Sequence, residues 1–125
     1  MRLLLDTHTL IWAMDGGARL TPTTRDRIRS PETTVYVSVA SIWELAIKAV
    51  KGKFSLPPDV PDTIAEAGFT MLEVKLDHAL AAAKLSPHHR DPFDRMLVAQ
   101  AITEELVLVT RDAKLPLYGV PILVA

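Results

Sequence analysis

The chain has 125 residues, 49% hydrophobic and 23% charged, the size and balance of one globular domain rather than of a disordered or fibrous chain. It contains no cysteine, which excludes disulfide frameworks, thiolate metal sites and thiol nucleophiles together. A net charge of -1 argues against a broad basic surface but leaves room for a local basic patch.

Leu3-Leu4-Leu5 is a short apolar run ending at Asp6 and reads as a buried strand. It is too short for the core of a signal peptide, and no later run is long enough to span a bilayer, so a cytoplasmic location without a membrane is expected. Leu10, Ile11 and Met14 recur at helical spacing until Gly16-Gly17. Thr21-Pro22 opens a second helix that runs to about Arg29 and stops at Ser30-Pro31. Val35-Tyr36-Val37 is the next strand. Ser38 or Ser41 caps the helix that follows, on which Ile42, Leu45, Ala46 and Ala49 share a face and Gly52 marks the end.

Pro57, Pro58 and Pro61 mark a loop, and Ile64, Ala65 and Ala67 a short helix closed by Gly68. Met71–Val74 reads as a third strand and Leu76–Leu85 as an alanine-rich helix ended by Ser86-Pro87. Asp91-Pro92 opens a helix with Phe93, Met96, Leu97, Ala101 and Ile102 on its apolar face. Leu106–Val109 is a strongly apolar strand, and Pro121–Val124 a final edge strand. Strands alternating with helices predict crossover units and a mainly parallel sheet in a single α/β domain, with no repeat or linker.

In such sheets the functional crevice lies beyond the carboxyl ends of the strands. That places Asp6, the Ser38–Glu44 segment and Thr110-Arg111-Asp112 at one edge, with Asp94 in the first turn of the helix opened by Asp91-Pro92. Each acid has an ordinary use as well. Asp6 suits a helix cap, Glu44 pairs with Lys48 at i,i+4, Asp94 complements a helix dipole, and Asp112 suits a turn. Their convergence points to metal chemistry. Like charges about 4 Å apart cost on the order of 4 kcal/mol at an effective dielectric of 20, and a hard divalent cation offsets that cost.

Four segments resemble one known family. Leu3-Leu4-Leu5-Asp6-Thr7-His8-Thr9-Leu10-Ile11-Trp12 is similar to the opening of PIN-domain ribonucleases of the VapC type, and Ser41-Ile42-Trp43-Glu44-Leu45-Ala46-Ile47-Lys48 to the segment with their second acid. His89-Arg90-Asp91-Pro92-Phe93-Asp94-Arg95-Met96-Leu97-Val98-Ala99-Gln100-Ala101 resembles their third-acid helix, and Val109-Thr110-Arg111-Asp112 their last motif. The resemblance spans essentially the whole chain, 1–125. It implies a three-layer α/β/α sandwich and a metal site of Asp6, Glu44, Asp94 and Asp112 for Mg²⁺ or Mn²⁺. It also implies endonucleolytic cleavage of RNA, a homodimer, and a small cognate antitoxin as partner, with DNA met only through that antitoxin.

Thr7, Ser41 and Thr110 are expected to hold waters or carboxylates around the site, or to act as caps. Arg90, Arg95, Arg111 and Lys48 are expected to contact phosphates or balance the acids. His88-His89 reads as an exposed, structurally neutral pair, and Trp12 and Trp43 as core or interface residues. A strand-end aspartyl phosphatase would want a second Asp where His8 stands. The alternative of another class is a non-catalytic binding module whose acidic edge docks a basic protein partner.

Overall fold

Leu3, Leu4 and Leu5 are fully buried in the computed structural model, which describes residues 1–125, and they fill the central strand β1 (Arg2–Leu5). An unbroken apolar run is what a strand needs when both faces of its sheet are covered. β1 pairs in parallel with β2 (Thr34–Ser38) on one side and β4 (Val107–Thr110) on the other. β3 (Thr70–Leu72) and β5 (Ile122–Val124) form the edges, so the order is β3-β2-β1-β4-β5 with every pair parallel.

Side-chain alternation divides the core into two layers. Leu3, Leu5, Val35, Val37 and Val109 face Leu10 of α1 (Thr7–Met14), Leu45 of α3 (Val39–Val50) and Ile64 of α4 (Val60–Glu66). Ile28 of α2 (Pro22–Arg29) packs at the margin of this layer. Leu4 and Leu108 face the other way, onto Leu97, Val98 and Ala101 of α6 (Pro92–Thr103), against which α5 (Leu76–Lys84) packs. Helices on both faces of a parallel sheet are the three-layer sandwich that the family resemblance implied.

Local signals set the helix starts. Thr21 Oγ accepts the Thr24 N–H at 3.2 Å, with Pro22 in the first turn. Ser38, rather than Ser41, caps α3 by accepting the Ala40 N–H at 3.0 Å. Three boundaries differ from expectation. β3 begins at Thr70 and ends at Leu72, because its ladder pairs only with Tyr36–Ser38, the last three residues of β2. β4 begins at Val107 rather than Leu106. The Leu106 N–H closes α6 by bonding the Ala101 carbonyl at 2.8 Å, after Glu105 takes a left-handed φ of 56°. Pro121 stays outside β5, and its carbonyl accepts the Leu108 N–H at 2.9 Å.

The chain runs outward from β1 to β2 and β3, then crosses back to β4 and β5 on the far side. The reversal falls between β1 and β4. A crevice forms at the carboxyl ends of strands at such a switch point.

Candidate metal centre

Asp6 stands at that reversal. Its N–H bonds the Val109 carbonyl at 3.1 Å, which carries the β1–β4 pairing one residue past the strand. Its carboxylate serves two neighbours. Oδ1 accepts the Thr9 N–H at 2.8 Å and so caps α1, while Oδ2 accepts the Thr110 hydroxyl at 2.5 Å. The Thr110 oxygen in turn accepts the Asp112 N–H at 3.0 Å, so one hydroxyl at the end of β4 ties two acids together.

Glu44 is held in a similar way from α3. Oε1 accepts the Thr7 hydroxyl at 2.7 Å, and Oε2 lies 3.2 Å from Lys48 Nζ. Ser41 Oγ is 3.2 Å from Thr7 Oγ in the fully buried space behind the pair.

Asp94 has no such support. Its neighbour Asp91 caps α6, accepting the N–H groups of Phe93 at 2.8 Å and Asp94 at 3.3 Å through one oxygen. The nearest donor to the Asp94 carboxylate is His89 Nε2, 3.2 Å from Oδ2, and that nitrogen lies closer to Asp112 Oδ2, at 2.8 Å. His89 Nδ1 accepts the Asp91 N–H at 3.0 Å, so in the neutral ring the proton sits on Nε2, between the two acids. The Asp94 carboxyl is pushed up to about 7 by burial and by the charges of Asp91, Asp6 and Glu44, against the opposing pull of His89. Asp112 behaves oppositely. Burial works to raise it, but the Lys114 N–H at 2.8 Å, the His89 hydrogen bond and the charges of both residues hold it below the usual carboxylate range.

Asp6, Glu44, Asp94 and Asp112 line one cavity of about 290 Å³, together with Thr7, His8, Trp12, Asp91 and Arg111. Thr110 reaches it through Asp6. Two arginines have their donors committed elsewhere. Arg95 turns away from the cavity and donates to the carbonyls of Ala82, Leu85 and Ser86, each at 3.0 Å. Arg111 lies at the rim with its guanidinium 4.4 Å from the centre of the Trp12 ring, while it donates to the Ala125 carbonyl at 2.8 Å and to the carbonyl of Arg19. Arg90 and Lys48 line an adjoining cleft.

Sequence reasoning set His89 aside as a neutral loop residue, yet it bridges two acids of the site. The hint in the sequence is its place two residues ahead of the helix cap Asp91, in a loop that must reach the carboxyl edge of the sheet. Its neighbour His88 is exposed and packs edge-on against Tyr118 at 4.9 Å. Trp43 is exposed rather than in the core, in edge contact with Phe93 at 5.2 Å.

The residues present suit a divalent cation. One ligand atom each from His89, Asp94 and Asp112 lies within 4.8 Å of the others, and the remaining donors are carboxylate oxygens. Oxygen-rich sets favour hard cations. Burial first, and then the charges of Asp91, Asp6 and Glu44, disfavour the Asp94 carboxylate, and a bound cation would offset both. Elsewhere, no helix is long and apolar enough to cross a membrane.

The comparisons with known proteins agree with the fold. A family model described as PIN domain matches residues 3–120. No curated protein matches. Among solved structures, a chain of VapBC2 from Rickettsia felis, bound to a promoter DNA fragment, has a TM-score of 0.69 at 13% identity, with 98% of each chain covered. A chain of DNA-bound VapBC from Salmonella typhimurium has a TM-score of 0.68 at 18% identity, covering 98% of this chain and 97% of that one. For VapBC-5 from Mycobacterium tuberculosis, a member of the VapBC family of toxin–antitoxin systems, the TM-score is 0.62 at 20% identity, with 99% and 98% covered. At these identities the likeness is one of fold, running nearly end to end, and with the family pattern matched from β1 to beyond β4 the chain belongs to the PIN domain family.

Proposed function

We propose that this chain is a metal-dependent endoribonuclease that acts as the toxin of a toxin–antitoxin pair. The single observation that carries the reading is the convergence of Asp6, Glu44, Asp94 and Asp112 on one cavity at the switch point of the sheet. In this reading those four acids hold Mg²⁺ or Mn²⁺. Thr110 and Thr7 fix the carboxylates of Asp6 and Glu44, so that each offers its remaining lone pairs in one orientation. Ser41 backs the Thr7–Glu44 contact, and His89 sets Asp112 against Asp94. When bound, a hard cation supplies Lewis-acid stabilisation to a phosphodiester and eases deprotonation of water. Hydrolysis adds that water across one P–O ester bond. Arg111 flanks the cavity as a fixed positive charge, and Arg95 acts from a distance by holding the loop that carries His89.

The matched chains come from toxin–antitoxin complexes, which supports a small antitoxin as partner; in this reading the setting is cytoplasmic and the functional unit a homodimer. Any contact with DNA would then run through the antitoxin. The test is cleavage of a total-RNA pool by the purified protein with Mg²⁺, set against EDTA. Asp6→Asn and Asp94→Asn are each expected to reduce cleavage by at least about 100-fold, the scale of losing a group that stabilises transition-state charge, with circular dichroism unchanged. Full activity in both folded variants would remove the assignment. A wild type that cuts no RNA but binds a small basic protein tightly would favour the docking module.

A further inference from the structure

Beside the acidic cavity lies a second cleft of about 430 Å³ that shares Glu44 and Asp91 with it. Four cations line it, Lys48, Lys51, Lys53 and Arg90. Lys48 is paired with Glu44 at 3.2 Å, whereas Lys51, Lys53 and Arg90 have no carboxylate within ion-pairing distance and are exposed. In a chain of net charge -1 this is a local concentration of positive charge.

Backbone geometry builds it. Lys48 and Lys51 are three residues apart near the end of α3 and share a face. Gly52, with φ of +74°, then stops the helix. Its N–H bonds the Ala49 carbonyl at 3.0 Å and the Lys53 N–H bonds the Lys48 carbonyl at 2.9 Å, a paired closure that turns the chain back and returns Lys53 to the same cleft. A helix C-terminus favours cations, which accounts for Lys48 and Lys51. It does not account for Arg90, which comes from the segment ahead of α6 and lines the same space. Phe93 forms an apolar wall, in edge contact with Trp43, a residue 62% exposed.

We propose that this cleft seats the phosphodiester backbone of a single-stranded nucleic acid as it runs to the acidic cavity, with Lys51, Lys53 and Arg90 on successive phosphates and the Trp43–Phe93 pair against a base. The inference rests on the nuclease reading and adds the path of the substrate. Phosphates beside an aromatic surface are how single strands are held without reading their sequence, and a duplex keeps its bases from such a surface.

The test is fluorescence anisotropy of a labelled uridine homopolymer RNA with the full-length protein in EDTA, across a salt series. Each single-strand phosphate contact contributes about 0.7 to the slope of log affinity against log salt. The combined variant Lys51→Gln, Lys53→Gln, Arg90→Gln is expected to flatten that slope by about 2 and to bind on the order of tenfold more weakly at low salt. The control Lys84→Gln, on α5, should change neither quantity. An unchanged slope in the folded triple variant overturns the proposal, as does a duplex that competes equally with the single strand. The two readings fail separately. Cleavage by the wild type with an unmoved slope removes the cleft alone, whereas a flattened slope without any cleavage keeps the cleft and removes the nuclease.

Discussion

Among the four acids, Asp94 is the one whose charge the protein leaves unsupported. Asp6, Glu44 and Asp112 have both oxygens engaged by hydrogen-bond donors or an ammonium group, while the His89 N–H nearest Asp94 is aimed at Asp112. A carboxyl raised from 3.8 to about 7 binds more protons in the folded chain than in the unfolded one across that window. Its contribution to stability is therefore present at low pH and is lost as pH rises through about 7. In metal-free buffer, Asp94→Asn should gain stability relative to wild type between pH 5 and pH 8, read as a growing difference in urea midpoint. Parallel curves across that range would mean that the carboxyl titrates normally.

Residue chemistry was also where the sequence was easiest to read. Asp6 and Asp112 stand out because they follow strands, and Asp94 because it lies in the first turn of a helix, whereas Glu44 lies in the second turn of α3; strand ends are legible in runs such as Leu3–Leu5. His89 was not legible. Its meaning depends on the start of α6 meeting the end of β4, a tertiary contact that leaves no periodicity in the chain.

At the scale of elements, Arg95 links α6 to α5. The last carbonyls of a helix have no partner within it, and Arg95 supplies donors to three carbonyls at that end while also approaching the His89 carbonyl and the Tyr118 hydroxyl at 3.4 and 3.3 Å. From sequence alone, an arginine one residue after a site acid resembles a phosphate ligand, because charge is visible and its backbone partners are not. Arg95→Leu should cost on the order of 2 kcal/mol, since these are charge-assisted bonds and the Leu85 carbonyl would be left without a donor, while those of Ala82 and Ser86 keep backbone N–H partners. Urea unfolding checks this, with a lower midpoint and an unchanged slope as the expected result. A loss under about 0.5 kcal/mol would assign Arg95 to the surface. Boundary errors arose for a related reason. Leu106 is as buried as a strand residue, but its N–H is used to close α6, so burial and ladder part company there.

For the molecule as a whole, a cation that binds only the folded site must raise the unfolding temperature by mass action. Mg²⁺ or Mn²⁺ at about a hundred times its dissociation constant corresponds to about 2.7 kcal/mol, a shift of several degrees for a domain of this size. Differential scanning fluorimetry should record that rise, its reversal by EDTA, and its loss in Asp94→Asn. An equal rise in the variant would place the ion elsewhere. The layered sheet was legible at this scale because apolar strands alternate with helical periods. The meeting of four distant acids was inferred from the rule for strand ends and from family likeness, not from any local signal.

Asp6 and Thr110 are 104 positions apart, yet they face one another across the pairing of β1 with β4, with Asp112 tied to the same hydroxyl. The pocket is thus closed by a contact between two segments that lie far apart along the chain. A chain cut ahead of β4 keeps Asp6, Glu44 and Asp94 but loses Thr110, the hydroxyl that ties Asp6 to Asp112. Gathering the acids therefore depends on the long-range pairing of β1 with β4, not on any one local segment.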